Sequence, residues 1–494
     1  MDDEVSTYLG QKGYTIYKES ICVKEQQYIR EELTVRPYVP KSPVQPRPFP
    51  IYQESQKKFY LPRFFAINTY GAPDEIRISS GDEINIEFKG NLRDDQQLIV
   101  DKYINHVNKE KDTAAEGGLL EIPCGKGKTV LSLKIISLLK KKTLVIVHKG
   151  FLLNQWKERI EQFLPTARIG VIQGQIIDME DKDIVIGMLQ SLSMKKYPQD
   201  MFSSFGLTVV DECHHISSEV FSKSLKAIVT KYTLGLSATM DRKDGLTKVF
   251  KMYLGDIIYK EDREPDEGVL VKGIQYCVDD EEYNETIYDY RGNPAYSGMI
   301  CKVCGYEKRS EFIINVLQKE RRDYNNQQIM ILAQQKNILV YLHNAISERN
   351  IATVGYYVGG MKEQDLKQSE NCEVILATYA MAAEGLDIKT LTTMILATPR
   401  TDVTQAVGRI LRVKHERPLV VDIIDSHQVF KKQWDKRLKF YTKSGYKVLV
   451  SNNNLYENNE WDIVSNNGKK IKNKKTAIKD SNNELPKGVC LVKV

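Results

Sequence analysis

The sequence predicts an α/β protein built from two tandem, doubly wound parallel-sheet lobes, and three observations carry that reading. Short apolar runs recur between polar turns from Leu92 to about Lys260, the same pattern restarts at Ile329, and the first series holds a glycine-rich loop between a strand-like run and a helix-like one. Apolar runs that are continuous rather than alternating suit strands buried on both faces, as in a parallel sheet covered by helices.

With 494 residues the chain has room for about two to four domains at roughly 100 to 200 residues each. Hydrophobic residues at 41% and charged residues at 28% exclude a chain disordered throughout. The formal net charge of +6 is local. Residues 465–494 hold eight Lys against Asp480 and Glu484, so the body before them is formally neutral. Any nucleic-acid groove in the body must therefore come from local arrangement. The eight Cys, at positions 22, 124, 213, 277, 301, 304, 372 and 490, follow no regular spacing, which argues against a disulfide framework. The start MDDEVS is acidic and has no apolar leader segment, and no run approaches the roughly 18 apolar residues of a membrane span. The expectation is an intracellular, soluble protein with no membrane partner.

Along the chain, residues 1–90 are an N-terminal extension. Closely spaced prolines at 37–50 fix φ and remove N–H donors, giving a strap or linker. The Tyr/Phe/Ile-rich stretch from Phe59 to Phe88, punctuated by Gly71, Pro73 and Gly81, predicts a few short strands or a lead-in to the main fold. The first lobe, 91–260, carries the runs GGLLEI, TLVIVH, DIVIGM, LTVVD and YTLGLS. Residues 261–310 are acidic and then turn-rich, as expected of a linker with an insertion. The second lobe, 311–450, carries IMILA, the helical KNILVYLHNAISER, ATVGYYV, EVILAT, TMILA and PLVVDII. Residues 451–494 are an Asn/Lys-rich tail, predicted to be mobile. Its run KKIKNKK, Lys469 to Lys475, has three open readings: a nuclear-import signal, a nucleic-acid arm or a solvated appendage.

The chemistry concentrates in IPCGKGKT, Ile122 to Thr129, which lies between GGLLEI and TVLSLKIISLLKK. Gly125 and Gly127 let the backbone turn its N–H groups toward a phosphate, and the following helix adds its dipole. Lys128 can reach the β- and γ-phosphates, and the Thr129 hydroxyl can ligate magnesium. A glycine-rich turn before a helix is the plain alternative for this segment alone. LTVVDECHH answers it by placing Asp211 and Glu212 at the end of an apolar strand, where such sheets present groups to a ligand. Asp211 suits magnesium, and Glu212 suits orienting or deprotonating a water. The expected cofactors are ATP and Mg2+.

PCGKGKT, DECH, SAT (Ser237 to Thr239) and QAVGRILR (Gln405 to Arg412) occur in the order seen in superfamily 2 helicases. Over about residues 92–425 the chain resembles that superfamily, most of all the XPB and UvsW branch and the helicases of large cytoplasmic DNA viruses. The resemblance implies two RecA-like lobes with the hydrolytic site in the cleft between them. It also implies roles. In LRDDQ, Gln96 reads adenine and Arg93 supports it, although Asp94-Asp95 stand where a proline–aromatic pair often sits. Ser237 and Thr239 couple hydrolysis to lobe movement, and His214 meets Gln405. Gly385 and Asp387 of EGLD touch nucleotide and nucleic acid. Arg409 and Arg412, one helical turn apart, are the arginine fingers. DRKDG, Asp241 to Gly245, matches the Arg-Glu-Asp element of the XPB type in part, with Lys243 in place of the acid.

Nucleic-acid contacts are expected from His148 and Lys149, Gln190 and Ser191, Gly359 and Gly360, and Thr378 and Tyr379, which would hold phosphate and sugar without reading sequence. The DECH and QAVGR forms resemble DNA translocases rather than the RNA helicases that carry DEAD and HRxGR, so DNA is the favoured partner and RNA the alternative. A second class of reading is a nucleic-acid-binding scaffold with a vestigial ATPase, against which Lys128, Asp211, Glu212, Arg409 and Arg412 argue. A protein-remodelling ATPase fits the motif order poorly. A viral chain would work in the host cytoplasm or the virion, with the nucleus as a further place. Cys301 and Cys304 have the spacing of half a zinc knuckle, with Cys277 as a third ligand, but packed or free thiols are the expected state. Trp156 has the helical spacing of a core face with Leu152 and Leu153, which predicts packing rather than base stacking.

Overall fold

The computed structural model describes residues 6–37, 45–123, 125–198, 200–213, 218–239, 247–261, 268–324, 327–384, 388–408, 410, 415, 417–466 and 469–470. The prolines at 40 and 43, the DRKDG segment, His214, Gly385, Asp387, Arg409, Arg412 and the tail beyond 470 lie outside these residues. The chain forms two compact units, Met1–Arg263 and Glu264–Val494.

The first unit opens with a small module. Its strands are β1 (Thr7–Gly10), β2 (Gly13–Tyr17), β3 (Thr34–Val35), β4 (Phe49–Pro50), β5 (Gln53–Glu54), β6 (Lys58–Leu61) and β7 (Glu75–Ile76), with helices α1 (Val23–Glu32) and α2 (Arg63–Tyr70). Five of the strands make a sheet in the order β5-β6-β2-β1-β7. The turn from β1 to β2 needs Gly13, whose φ is +100° and whose missing Cβ would stand 2.5 Å from the Leu61 carbonyl oxygen. Side chains alternate in and out, as strand geometry requires. Leu9, Tyr14, Ile16, Phe59 and Leu61 point inward and are buried. Most of this inner face shares one core with Phe221, Phe250 and Tyr253 of the adjoining lobe.

Arg63, the first residue of α2, fastens module to lobe. It is 4% exposed, donates from Nη2 to Glu116 Oε2 at 2.8 Å and from Nη1 to the carbonyls of Thr230 and Lys231 at 2.9 and 2.8 Å, and from Nε to the carbonyl of Ala114. Burial pulls the guanidinium down to about 10 against the support of Glu116 and Tyr103. A buried guanidinium needs this many acceptors because each unmet N–H would keep its desolvation cost.

The lobe proper contains α3 (Asp94–Lys109), β8 (Gly117–Glu121), α4 (Lys128–Leu139), β9 (Thr143–Val147), α5 (Gly150–Phe163), β10 (Ile169–Gln173), β11 (Ile176–Asp178), β12 (Ile184–Met188), α6 (Leu189–Met194), β13 (Leu207–Val210), α7 (Ser218–Leu225), β14 (Tyr232–Ser237), α8 (Thr247–Leu254) and β15 (Ile257–Lys260). The sheet runs β11-β10-β12-β9-β13-β14-β8-β15 and is parallel except at β10–β11. Strands β8, β9 and β12 are buried along their whole length, as their unbroken apolar runs predict.

The second unit repeats the plan with β16 (Leu270–Tyr276), β17 (Gln328–Ala333), β18 (Val354–Tyr357), β19 (Val374–Thr378), β20 (Leu391–Leu396), β21 (Leu419–Asp425), β22 (Lys447–Asn452), β23 (Asp462–Asn466) and β24 (Lys469–Lys470), ordered β18-β19-β17-β20-β21-β16-β22-β23-β24. Two boundaries differ from the sequence reading. Strand β16 falls in the stretch expected to be linker, yet it pairs in parallel with β21 and β22, so the second sheet begins there. Its Lys272 is neutralised in the interior by Glu320 at 2.7 Å, which lets a charged residue occupy a buried strand. Residues from Ser451 onward, expected as tail, also enter the fold: β23 pairs with β22, and Tyr456 is 2% exposed with its hydroxyl on Glu320. Asn and Lys dominate the composition there, but a few buried aromatics suffice to anchor it.

Arg63→Met should lower the thermal midpoint markedly, since removing one partner of a buried ion pair leaves the other charge unmet, at about 3 to 5 kcal/mol. Arg63→Met with Glu116→Gln should recover part of the loss in a thermal melt; an unchanged midpoint in the single variant would mean the pair does not hold module to lobe.

Candidate nucleotide site

In a parallel sheet all strand ends of one kind lie along one edge, so the loops after the strands gather there whatever their distance in sequence. Read across the carboxyl edge of the first lobe, the order β12-β9-β13-β14-β8 sets Gln190 and Ser191, then His148 and Lys149, then Asp211 and Glu212, then Ser237 and Thr239, then the phosphate loop. The nucleotide candidates and the strand-contact candidates of this lobe share an edge, side by side.

The phosphate loop has the backbone that its glycines permit. Gly125 and Gly127 take φ of +90° and +83°, and Gly127 caps α4 at its N-terminus. Nothing lies within 4 Å of the place a Cβ would occupy on Gly125, whereas a Cβ on Gly127 would stand 2.6 Å from Gln96 Nε2. Open space over one glycine and a helix N-terminus behind the other suit a phosphate group. Lys128 Nζ lies 2.6 Å from Glu212 Oε1, in an ion pair with side chains 10% and 19% exposed. Glu212 holds φ of +47°, in the left-handed region that costs a residue with a Cβ roughly 1 kcal/mol or more.

Asp211 is 5% exposed, and burial, then the neighbouring Glu212 charge, push its carboxyl up to about 6, against Lys128 and a hydrogen bond from Trp156. That bond runs from Trp156 Nε1 to Asp211 Oδ2 at 2.8 Å. The expectation of packing holds for the Trp156 ring, which is 1% exposed in a core with Leu152 and Leu153, and misses its N–H. Helical spacing reports which face a residue occupies, and the acceptor comes from another strand. Cys213, beside these acids, is an inert thiol pushed up to about 12 by burial.

Gln96 and Arg93 meet the phosphate loop itself. Gln96 Nε2 donates to the Lys126 carbonyl at 2.9 Å, Arg93 Nη2 to the same oxygen at 3.2 Å, and Gln96 Oε1 accepts from the Arg93 backbone N–H at 3.1 Å. Asp95, where the proline–aromatic pair often sits, lies 3.1 Å from Arg93 Nε and 3.4 Å from Lys126 Nζ. Lys126 also pairs with Glu261 at 2.6 Å. Sequence reading singled out neither Lys126 nor Glu261, because their partner sits far along the chain. Ser237 is buried, its hydroxyl bonded to the Thr239 carbonyl and accepting the Thr239 N–H, while Thr239 is exposed.

Among the strand-contact candidates, Gln190, Gly359 and Gly360 are exposed and His148, Lys149, Ser191 and Thr378 half-buried. Burial draws the Lys149 ammonium down, and Ser191 Oγ accepts the Gly174 N–H at 2.9 Å. Tyr379 is a correction. It is 4% exposed and its hydroxyl donates to the Thr398 carbonyl at 2.7 Å, so the ring belongs to the core of the second unit and cannot offer its hydroxyl to a strand. Gln405 is half-buried on the short helix Thr404–Val407. Cys301 and Cys304 sit on the helix Tyr296–Gly305, where Cys301 is exposed and accepts from Gln335 Nε2 at 3.3 Å, and Cys304 is buried with its thiol pushed up to about 11.

A family model described as "Type III restriction enzyme, res subunit" matches residues 89–242. The chain is 34% identical over 461 residues, 91% of its length and 87% of the relative's, to the protein named "Putative ATP-dependent RNA helicase L396" of Acanthamoeba polyphaga mimivirus. It is 34% identical over 179 residues, 36% of its length and 38% of the relative's, to "DNA 3'-5' translocase XPB2" of Sulfurisphaera tokodaii. Among solved structures, the helicase domain of Pyrococcus furiosus Hef aligns with 70% of this chain and 98% of its own at a TM-score of 0.47 and 14% identity.

Trp156→Phe keeps most of the ring and removes the donor to Asp211. ATPase turnover should fall by about tenfold, since leaving a buried acceptor unmet costs roughly 1 to 3 kcal/mol and frees the carboxylate to turn; wild-type turnover would reduce Trp156 to packing.

Proposed function

Because this chain belongs to the superfamily 2 helicases, we propose that it hydrolyses ATP at the carboxyl edge of its first lobe to drive movement along a nucleic-acid strand or the opening of a duplex, with DNA as the preferred track. The observation that carries the reading is the convergence at that edge of a glycine loop capped by a helix, Lys128 and two adjacent carboxylates, with Lys128 2.6 Å from Glu212. Glu212 holds φ of +47°, and backbone strain of this kind clusters at functional sites.

The residues perform distinct tasks in this reading. The loop N–H groups and Lys128 take the phosphates, and in doing so Lys128 exchanges Glu212 for a phosphate oxygen and frees the carboxylate. Glu212 then orients the attacking water and accepts its proton. Magnesium, when bound, supplies charge to polarise the γ-phosphate, and the donor set fits it: a buried carboxylate on Asp211 whose charged form burial disfavours, with the hydroxyl of Thr129 at the second position of α4. Gly385, Asp387, Arg409 and Arg412 are assigned on sequence alone, the arginines as transition-state charge stabilisers worth about 10³ to 10⁵ in rate. Gln405 is assigned with the catalytic residues, and His214, which it is expected to meet, with Ser237 and Thr239 to coupling.

DNA is favoured by the DECH and QAVGR forms. RNA is the second reading, favoured by the name of the mimivirus relative, which covers far more of the chain than the archaeal DNA translocase does. That relative's source also supports a viral protein acting in the host cytoplasm or virion. Among the described residues no helix is long and apolar enough to cross a membrane.

Glu212→Gln should bind ATP and nucleic acid as the wild type does and lose hydrolysis, because the phosphate cradle stays while the water loses its base. Steady-state ATPase with nucleotide binding measured alongside decides it, and normal turnover would remove Glu212 from the assignment. ATPase stimulation by matched DNA and RNA strands, single and duplex, at one salt concentration should rank DNA first. An RNA preference would reverse the choice of track and leave the motor in place; the absence of any stimulation would remove the motor itself.

A further inference from the structure

The outer face of the N-terminal sheet is the part of the molecule the hydrolytic site leaves unused. Register places Tyr8 opposite Thr15 and Thr15 opposite Tyr60, with Tyr17 opposite Lys58 in the next row of the same face. The inner face of these strands is Leu9, Tyr14, Ile16, Phe59 and Leu61, so the outward positions have been given three tyrosines where threonine or charge pairs would satisfy a solvated sheet. Cations lie over them. Lys58 Nζ is 4.3 Å from the Tyr17 ring centroid and 5.1 Å from that of Tyr8, Arg77 is 4.0 Å from Tyr8, and Lys12 is 5.1 Å from Tyr60. The Tyr8 and Tyr17 centroids are 6.3 Å apart on neighbouring strands.

The charge balance of this face gives it a sign. Arg77 pairs with Glu75, and Lys18 at the border pairs with Glu54. Lys12 and Lys58 have no carboxylate partner among the described residues: Lys12 lies over the Tyr60 ring, and Lys58 lies over the Tyr8 and Tyr17 rings and donates to the Tyr8 hydroxyl at 3.2 Å. A ring quadrupole neutralises nothing, so two positive charges remain over a surface of π faces. Flat aromatic rings on a sheet, interleaved with lysines, are complementary to a chain that alternates planar bases with phosphates. A duplex hides its bases and presents phosphate alone, which would not need the rings.

We propose that this face, the half-buried Tyr8, Tyr17 and Tyr60 with Lys12, Lys58 and Arg77, is a second nucleic-acid site that binds a single strand, its phosphates drawing the cations off the rings so that bases stack on the tyrosines in their place. The proposal rests on the motor reading, for which it adds a hold on the strand outside the hydrolytic edge. The rings accept any base, so the site takes DNA and RNA strands alike and contributes affinity rather than sequence choice.

The test uses the full chain without nucleotide, fluorescently labelled oligo-dT and oligo-U, and a blunt DNA duplex, with anisotropy read across salt concentrations. Tyr17→Ala with Tyr60→Ala should weaken single-strand binding by about fivefold or more per ring, and Tyr17→Phe with Tyr60→Phe should keep it. Lys12→Gln with Lys58→Gln should reduce the log–log salt slope by about 1.4, at about 0.7 per phosphate contact on a single strand. Basal ATPase should stay unchanged in all three, and binding is read well below each variant's thermal midpoint, because the tyrosine rings are half-buried. Wild-type affinity in the alanine pair, equal loss in the phenylalanine pair, or an equal loss of duplex binding would each overturn the proposal. Strand-stimulated ATPase separates the two failures. A stimulated wild type with a normally binding alanine pair ends the second site alone, while a wild type that neither binds nor responds to a strand ends the motor reading with it.

Discussion

A carboxylate at the end of a buried parallel strand must be met by something, and in this protein that demand organises the carboxyl edge of the first lobe. Asp211 is nearly sealed from water and has Glu212 beside it. Two adjacent acids at such a place would repel and protonate if nothing answered them. The indole N–H of Trp156 takes one, and the ammonium of Lys128 takes the other. Each donor arrives from a different helix, so α4 and α5 are both fixed against β13 by the same pair of charges. The arrangement holds a carboxylate and a cation in place, and in the proposed reaction a phosphate has only to compete with Glu212 for Lys128.

The sheet does the remaining gathering. With β9 beside β13, and β14 between β13 and β8, the strand-contact loops and the phosphate loop become neighbours without any contact in sequence. A displacement of one strand end is then felt by the adjacent loop at about the 4.8 Å spacing of strands. Lys126 extends this connection, since its carbonyl receives Arg93 and Gln96 while its ammonium holds Asp95 and Glu261. The candidate phosphate loop is thereby tied to the start of α3 and to the residue after β15.

Much of this was legible in the residues, and the limits have physical reasons. Strands buried on both faces announce themselves as unbroken apolar runs, and both lobes were read from them. Glycines at the phosphate loop and acids at the end of LTVVD are local signals, so their convergence followed from the rule that parallel strand ends share an edge. The N-terminal module was read only as short strands. Its strands span five residues at most, and the outward tyrosines blur the alternation that marks a half-buried sheet. Strand β16 was hidden because Lys272 breaks its apolar run and the neutralising Glu320 is remote. Tyr379 followed a motif position and proved to be core, since nothing in its neighbours signals that Thr398 would take its hydroxyl. Trp156 was placed on the right face for a reason that explained half of its contacts.

Strand β16 also governs how the second unit can be made. It leaves the ribosome first among the strands of its sheet, yet both of its neighbours, β21 beginning at Leu419 and β22 beginning at Lys447, follow only after β17 to β20. Until they emerge, an apolar strand with two bare hydrogen-bonding edges waits at the front of the nascent chain. Contacts so distant in sequence close slowly and leave edges open to other chains. The first lobe carries the same debt over a shorter stretch, since β8 waits for β14 and β15, but β8 to β15 are all present before β16 begins. Synthesis therefore completes the first lobe before the second can close, and between Tyr276 and Leu419 the strand β16 has neither of its partners.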